Sequence, residues 1–167
     1  MDRYMSWAKT AREFGNGPRE FPSVGNMVPL LLERSETFRN SWARQGENFH
    51  DKRIRSTIAI APPTPVRAFD PQSLASIKIS VTLITGGADQ EAPTEHCADW
   101  LTLINPDFRH FSVGPDVGHY TFLGFPAMPP RPDESFMFLD HPQVNRAKVH
   151  EKTANLIIAV LKDAEPT

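Results

Sequence analysis

The sequence predicts an α/β protein with about three parallel strands, near residues 54–61, 79–85 and 108–113. Two observations lead to this prediction. Short β-branched apolar runs alternate along the chain with helix-like patterns, which is the order of an α/β sheet. The runs are also nearly continuous in apolar residues, as in parallel strands that are covered on both faces.

The composition sets limits on size and partners. A chain of 167 residues suits one domain spanning residues 1–167. Its net charge of -2 argues against a nucleic-acid partner. Cys97 is the only cysteine, so no intrachain disulfide can form. No apolar run approaches the ~20 residues of a membrane span, and no secretion signal is evident, which predicts a cytoplasmic location without a membrane partner.

The N-terminal part divides into two predicted segments. Residues 1–25 are rich in glycine and proline and are predicted to be irregular, whereas residues 26–46 have the pattern of a core-packing helix. Asn26 can cap its start, Pro29 is tolerated in its first turn, and Gly46 can end it. The apolar positions that fall near one face of this helix are Met27, Leu30, Leu31, Phe38 and Trp42.

Residues 51–164 are predicted to form the α/β core. The first strand stops at a run of prolines, after which Leu74 and Ile77 are expected to tuck a short turn under the sheet. The second strand is followed by a helix that starts near Thr94, its expected cap, and ends near Ile104. Cys97, Trp100, Leu101 and Ile104 lie on one side of that helix.

After the short third strand, residues 120–142 are rich in proline and aromatic residues and are predicted to form a long loop. A final helix over about 143–164 completes the alternation. Its predicted buried stripe contains Val144, Ala147, Ala154, Ile157, Ile158 and Leu161.

Three parallel strands are few, and the first has no earlier strand to pair with. An open apolar edge invites association. We therefore expect an incomplete sheet and either self-association or a complementing chain at that edge.

Two polar motifs follow predicted strands. Asp89 comes after Gly86 and Gly87, and His119 comes after Gly118. Reactive groups of open α/β sheets gather at the carboxyl ends of the strands. We expect Asp89 to accept a hydrogen bond from one ring nitrogen of His119, which would set the tautomer and favour the imidazolium.

The paired glycines let the chain turn sharply, and Gly118 removes a side chain beside the base. The alternative acid is Asp116, which also lies close to the histidine in sequence.

The stretches DKRIRSTIAIAP, FDPQSLASIKISVTLITGGADQEAP and GPDVGHYTFL resemble the C-terminal half of the α/β-hydrolase fold. More narrowly, they are similar to the dienelactone hydrolase-like branch of serine esterases and lipases, over roughly residues 39–162. The resemblance implies that Asp89 is the acid and His119 the base of a catalytic triad, in the order acid then histidine. It also implies hydrolysis of a small carboxylic ester or lactone.

The nucleophile of that family lies in a G-x-S-x-G turn after a strand, and this sequence contains no such pentapeptide. The nearest match, around Ser23, lacks the first glycine and follows no strand. We expect a serine hydrolase that begins after its own nucleophile and is inactive as an isolated chain. The alternative is a non-catalytic binding or oligomerisation module derived from the same fold.

Three aromatic residues follow the histidine motif. Tyr120, Phe122 and Phe125 could line an acyl or ring pocket, or they could pack under the proline-rich loop. His96 and Cys97 are adjacent on a predicted helix, so they point in different directions, and no second pair stands at metal-ligand spacing. No metal or cofactor is implied. Four further histidines are expected at the surface: His50, His110, His141 and His150.

Overall fold

The computed structural model describes residues 24–163. They fall into two compact units that meet in sequence between Ile54 and Arg55. The irregular segment predicted for residues 1–25 lies outside the described residues up to position 23, and Val24 already begins a helix. The grouping of all residues into one domain stays a prediction.

The N-terminal unit contains two helices where the sequence predicted one. α1 covers Val24–Arg34 and α2 covers Glu36–Ala43. The break falls at Ser35, whose side chain accepts a hydrogen bond of 3.1 Å from the backbone N–H of Phe38 and so caps α2. Asn26 lies inside α1, so its predicted capping role is wrong.

The predicted core-packing stripe of this unit is also wrong. Met27 and Leu30 are 50% and 44% exposed, whereas Val28 is buried. No residue of α2 is buried. Phe38 and Trp42 instead stack on each other with ring centroids 5.5 Å apart, a local pair at the i, i+4 spacing that stabilises a helix without burying it in a core.

The second unit contains a parallel sheet in the order β1-β2-β3. Its strands are Ser56–Ile60, Ser80–Thr85 and Arg109–Ser112. Both neighbouring pairs are parallel. The α/β class and its three parallel strands are therefore confirmed. Because parallel strands run the same way, their carboxyl ends lie along one edge of the sheet, where Asp89 and His119 follow β2 and β3.

Helices cover both faces of the sheet. Leu83 packs in one cluster with Leu74 of α3, Pro71–Ala75, and with Leu101 of α4, Ala98–Ile104. Ile84, which points to the opposite face because side chains alternate along a strand, packs in a second cluster with Val149 of α5, Arg146–Asp163. Two-sided burial explains why every residue of β2 after Ser80 is buried.

The turn predicted under the sheet is α3, with Leu74 buried and Ile77 packed against the same cluster. The helix predicted from Thr94 instead begins with a 3₁₀ turn, Thr94–His96, and becomes α-helical at Ala98. Thr94 does not cap it, because the residue that precedes the 3₁₀ turn is Pro93.

The buried stripe predicted for the last helix is displaced. Its buried residues are Arg146, Val149, Thr153 and Val160. Ile158 and Leu161 are 49% and 50% exposed. The true stripe includes two polar residues, so a count of apolar positions selected the wrong side of the helix, although Val144 and Ile157 do pack against the cluster around Ile84.

The segment after β3 contains two 3₁₀ turns, His119–Phe122 and Ser135–Phe138, and no α-helix or strand before α5. This agrees with the predicted loop. No helix among the described residues is long and apolar enough to cross a bilayer.

Candidate active site

The loops that follow β2 and β3 are joined through their backbones. The N–H of Gly87 donates to the carbonyl of Gly114 at 2.8 Å, and the N–H of Ala88 donates to the carbonyl of Val117 at 3.0 Å. These bonds continue the pairing of the two strands beyond the sheet. As a result, the residues that come next in each loop, Asp89 and His119, are brought to the same place.

Gly86 and Gly87 allow the two loops to approach closely. A Cβ atom on Gly86 would lie 2.1 Å from the carbonyl oxygen of Val117, and one on Gly87 would lie 2.8 Å from backbone atoms of Pro115. Neither distance is tolerable for a carbon atom. The Cβ of an alanine at Gly118 would meet nothing within 4 Å, and the expectation that this glycine removes a side chain beside the base stays a prediction.

Asp89 is held on three sides. Its side chain is only 1% exposed. One oxygen, Oδ1, accepts hydrogen bonds from the backbone N–H groups of Glu91 at 3.0 Å and Ala92 at 2.7 Å. The other, Oδ2, lies 2.8 Å from Nδ1 of His119. Backbone donors satisfy one oxygen and orient the second, which makes a buried carboxylate tolerable.

His119 begins a 3₁₀ turn, and its side chain is 24% exposed. An ionised carboxylate can only accept hydrogen bonds, so in the pair of an ionised Asp89 with His119 the ring donates a hydrogen bond from Nδ1. The ring edge meets the ring of Tyr120 with centroids 5.2 Å apart. The predicted meeting of Asp89 and His119 is therefore present, and it is Asp89, not Asp116, that bonds Nδ1.

The three aromatic residues predicted to form a pocket have different surroundings. Tyr120 packs edge-on against both His119 and Phe136. Phe122 packs against the cluster around Ile84, and Phe125 is 66% exposed beside the ring of His150. A pocket formed by all three stays a prediction.

A second imidazole in this unit has a hydroxyl on one side and a carboxylate on the other. Nε2 of His110 lies 2.8 Å from Oγ1 of Thr85, and Nδ1 lies 3.5 Å from Oδ1 of Asp99. We call these three residues the His110 array. His110 is expected at the surface, and its side chain is partly exposed, at 21%.

The His110 array has the residue types of a catalytic triad but not its accessibility. Thr85 is 2% exposed, so no substrate carbonyl can reach its hydroxyl. The array instead joins β2, β3 and α4. Sequence reasoning missed it because the pairing of Leu83 with His110 decides which face the histidine occupies, and that register is not visible in the spacing.

Cys97 does not supply an alternative nucleophile. Its side chain is completely buried. Burial first, and then the negative charge of Asp89, raise the pKa of its thiol to about 12, so the reactive thiolate is scarce at neutral pH.

Among residues 24–163, no group of three histidine, cysteine or acidic side chains could hold a metal ion. Ser23, the weak candidate nucleophile, lies outside the described residues.

No family model matches this chain, and no curated protein or solved structure was found to be similar to it. The relationship to α/β-hydrolases therefore stays a prediction.

Proposed function

We propose that Asp89 and His119 are the acid and the base of a serine hydrolase that acts on small carboxylic esters or lactones, similar to dienelactone hydrolases. One observation carries the proposal. A carboxylate that is 1% exposed lies 2.8 Å from Nδ1 of a partly exposed histidine, at the ends of neighbouring parallel strands.

The chemistry follows from this arrangement. With the Nδ1 proton bonded to Asp89, Nε2 is the nitrogen that takes the proton of a serine hydroxyl as the hydroxyl attacks the ester carbonyl. The carboxylate stabilises the imidazolium formed in this step. The imidazolium then gives the proton to the leaving alkoxide. A water molecule next attacks the acyl-enzyme, with His119 again as the base, and the serine is released.

The hydroxyl must come from outside this pair. Thr85 is buried, and the thiol of Cys97 stays protonated. We propose that a serine on a strand-G-x-S-x-G-helix segment completes the site, supplied by a separate polypeptide or by sequence upstream of Met1. The backbone N–H donors that stabilise the oxyanion would come from the same missing part.

A fluorophosphonate probe, which labels activated serines, tests the proposal. The 167-residue chain alone should be neither labelled nor active on p-nitrophenyl acetate. The DNA upstream of Met1 should encode the missing segment, and the chain extended by that segment should be labelled and hydrolyse the ester. His119→Ala should lower this hydrolysis by at least about 10²-fold, the usual contribution of a general base.

The matched control is His141→Ala, because His141 is exposed and bonds only locally, to the backbone N–H of Gln143 at 3.4 Å. It should leave hydrolysis unchanged. Hydrolysis that survives His119→Ala would contradict the proposal, and an unrelated upstream sequence would exclude the upstream source of the serine and leave only a separate polypeptide. Turnover by the 167-residue chain alone that is lost in His119→Ala would show that no further segment is needed.

A second candidate function is a non-catalytic module that associates through β1. The observation that favours it is the position of β1, which pairs only with β2 among the described strands, while Ile60 at its end is 40% exposed. Unpaired strand edges promote association. A stable oligomer in size-exclusion chromatography, with cooperative melting and no labelling of the extended chain, favours this function. Aggregation or a molten state favours a truncated enzyme.

A cytoplasmic location also belongs to the proposal. It rests on the ordinary composition and on the single cysteine, which is compatible with a reducing compartment.

A further inference from the structure

The turn that carries His119 is a 3₁₀ turn of only four residues. At its two ends the N–H of Thr121 donates to the carbonyl of Gly118 at 3.3 Å and the N–H of Leu123 donates to the carbonyl of Tyr120 at 3.1 Å. Bonds in such turns have poor geometry. Gly118, which precedes the turn, offers no side-chain cap. The angle at which the imidazole meets Asp89 therefore needs support from other parts of the molecule.

Thr121, two residues after His119, supplies a connection to such support. It is 2% exposed. Its hydroxyl donates to Oδ1 of Asp140 at 2.7 Å, and its carbonyl accepts from Nε2 of His150 at 2.7 Å. Both the side chain and the backbone carbonyl of Thr121 therefore bond the turn to other parts of the chain.

Asp140 is itself fixed by Arg146, the first residue of α5. Nε of Arg146 donates to Oδ2 at 2.8 Å and Nη2 donates to Oδ1 at 3.0 Å, so the guanidinium makes a bidentate contact with the carboxylate. The same guanidinium donates to the carbonyls of Leu123, at 3.1 Å, and Met137, at 3.0 Å. The buried guanidinium of Arg146 therefore joins α5 to the two 3₁₀ turns that lie between β3 and α5.

The charge state of Asp140 suits this role. Burial by itself would raise the pKa of its carboxyl, but hydrogen bonds from Arg146 and Thr121 outweigh burial and hold the pKa below its ordinary value of 3.8. The carboxylate is therefore ionised at neutral pH. The side chains of Arg146 and Asp140 are 5% and 16% exposed. Because buried ion pairs contribute little net stability, the property of the Arg146–Asp140 pair that needs an explanation is its fixed geometry.

We propose that Thr121, Asp140 and Arg146 are positioning residues, which hold the His119 ring in the orientation that bonds Nδ1 to Asp89. The inference rests on the proposed function, because that function gives the His119–Asp89 bond its catalytic purpose. The chain of contacts runs from α5 through Arg146 and Asp140 to the hydroxyl of Thr121.

The test measures the tautomer of His119 in the full 167-residue chain. Histidine labelled with ¹⁵N gives ring nitrogen shifts that are read through the carbon-bound ring protons. The unsubstituted chain should show His119 protonated at Nδ1 at a pH where the ring is neutral, and Asp89→Asn should remove this preference. Thr121→Val keeps the shape of the side chain but removes the hydroxyl, so both ¹⁵N shifts should move towards the average of a tautomer mixture.

Two variants control for packing. Thr121→Ser keeps the hydroxyl and should keep the Nδ1 tautomer. Thr153→Val is the same substitution at a buried hydroxyl that has no hydrogen-bond partner among the described residues, and it should not change the His119 shifts. If circular dichroism shows that Thr121→Val is unfolded, Asp140→Asn replaces it, because it keeps the shape but weakens the grip of Arg146.

The outcomes separate this inference from the proposed function. Unchanged His119 shifts in a folded Thr121→Val or Asp140→Asn chain overturn the inference but leave the proposed function intact. Equal changes in Thr121→Val and Thr121→Ser also overturn it, because the hydroxyl would then be irrelevant. A tautomer mixture in the unsubstituted chain counts against the His119–Asp89 bond itself, and so against the proposed function.

Discussion

Two imidazole–carboxylate pairs in the second unit differ mainly in their carboxylates. The rings of His119 and His110 are almost equally exposed, at 24% and 21%. Asp89, beside His119, is 1% exposed and 2.8 Å away, whereas Asp99, beside His110, is 57% exposed and 3.5 Å away. Exposure of the histidine therefore does not identify the candidate base.

Burial of the acid separates the two pairs for electrostatic reasons. Charges interact more strongly where water is excluded, and exposed ion pairs contribute little because water screens them. A buried carboxylate also needs other donors to remain charged, and Asp89 has the backbone N–H groups of Glu91 and Ala92. Only the Asp89–His119 pair combines a fixed acid with a partly exposed ring.

The largest effect is expected where the loop that carries Asp89 approaches the loop before His119. Gly86→Ala places a carbon 2.1 Å from the carbonyl oxygen of Val117, and the two loops must separate. We expect the free energy of unfolding to fall by about 3 kcal/mol or more, at the upper end of overpacking effects. Urea denaturation measures it.

Gly118→Ala is the matched control for that substitution. It adds the same methyl group where nothing lies within 4 Å, and it should change the stability by no more than about 0.5 kcal/mol. Equal effects of the two substitutions would contradict the role assigned to the close approach of the loops.

An intermediate effect is expected from neutralising the two carboxylates in turn. Asp89→Asn replaces the oxygen that faces Nδ1 of His119 by an N–H donor, so the Nδ1-protonated ring loses its acceptor and must change its tautomer to keep a bond. We expect a loss of about 2 kcal/mol in unfolding free energy. Asp99→Asn, at an exposed site, should cost less than about 0.5 kcal/mol. Chemical denaturation of both variants checks this, and similar losses would remove the distinction between the two pairs.

The smallest effect concerns two hydroxyls of β2. Thr85→Val leaves Nε2 of His110 without its partner at 2.8 Å and should destabilise the protein by about 1 kcal/mol. The hydroxyl of Thr82 is buried and has no partner among the described residues, so Thr82→Val should be neutral or slightly stabilising. Thermal melting compares them. A loss from Thr85→Val no larger than that from Thr82→Val would show that the Thr85–His110 bond adds nothing to stability.

The strands were predictable because their signal is local. The runs predicted at 54–61, 79–85 and 108–113 became Ser56–Ile60, Ser80–Thr85 and Arg109–Ser112. The helical predictions were weaker for two different reasons. A capping serine at position 35, a local signal that the apolar pattern does not contain, divided the first helix. Buried polar residues in α5, which depend on packing, displaced its stripe.

The sequence by itself determined the α/β class, the order of the elements, and the two motifs that place Asp89 and His119 at neighbouring strand ends. Each of these depends on residues close together in the chain. The tertiary structure alone decided the close approach at Gly86, the Thr85–His110 bond and the Arg146–Asp140 pair that connects to the turn of His119. These contacts depend on how strands and helices pack against each other, and spacing along a single chain does not encode that packing.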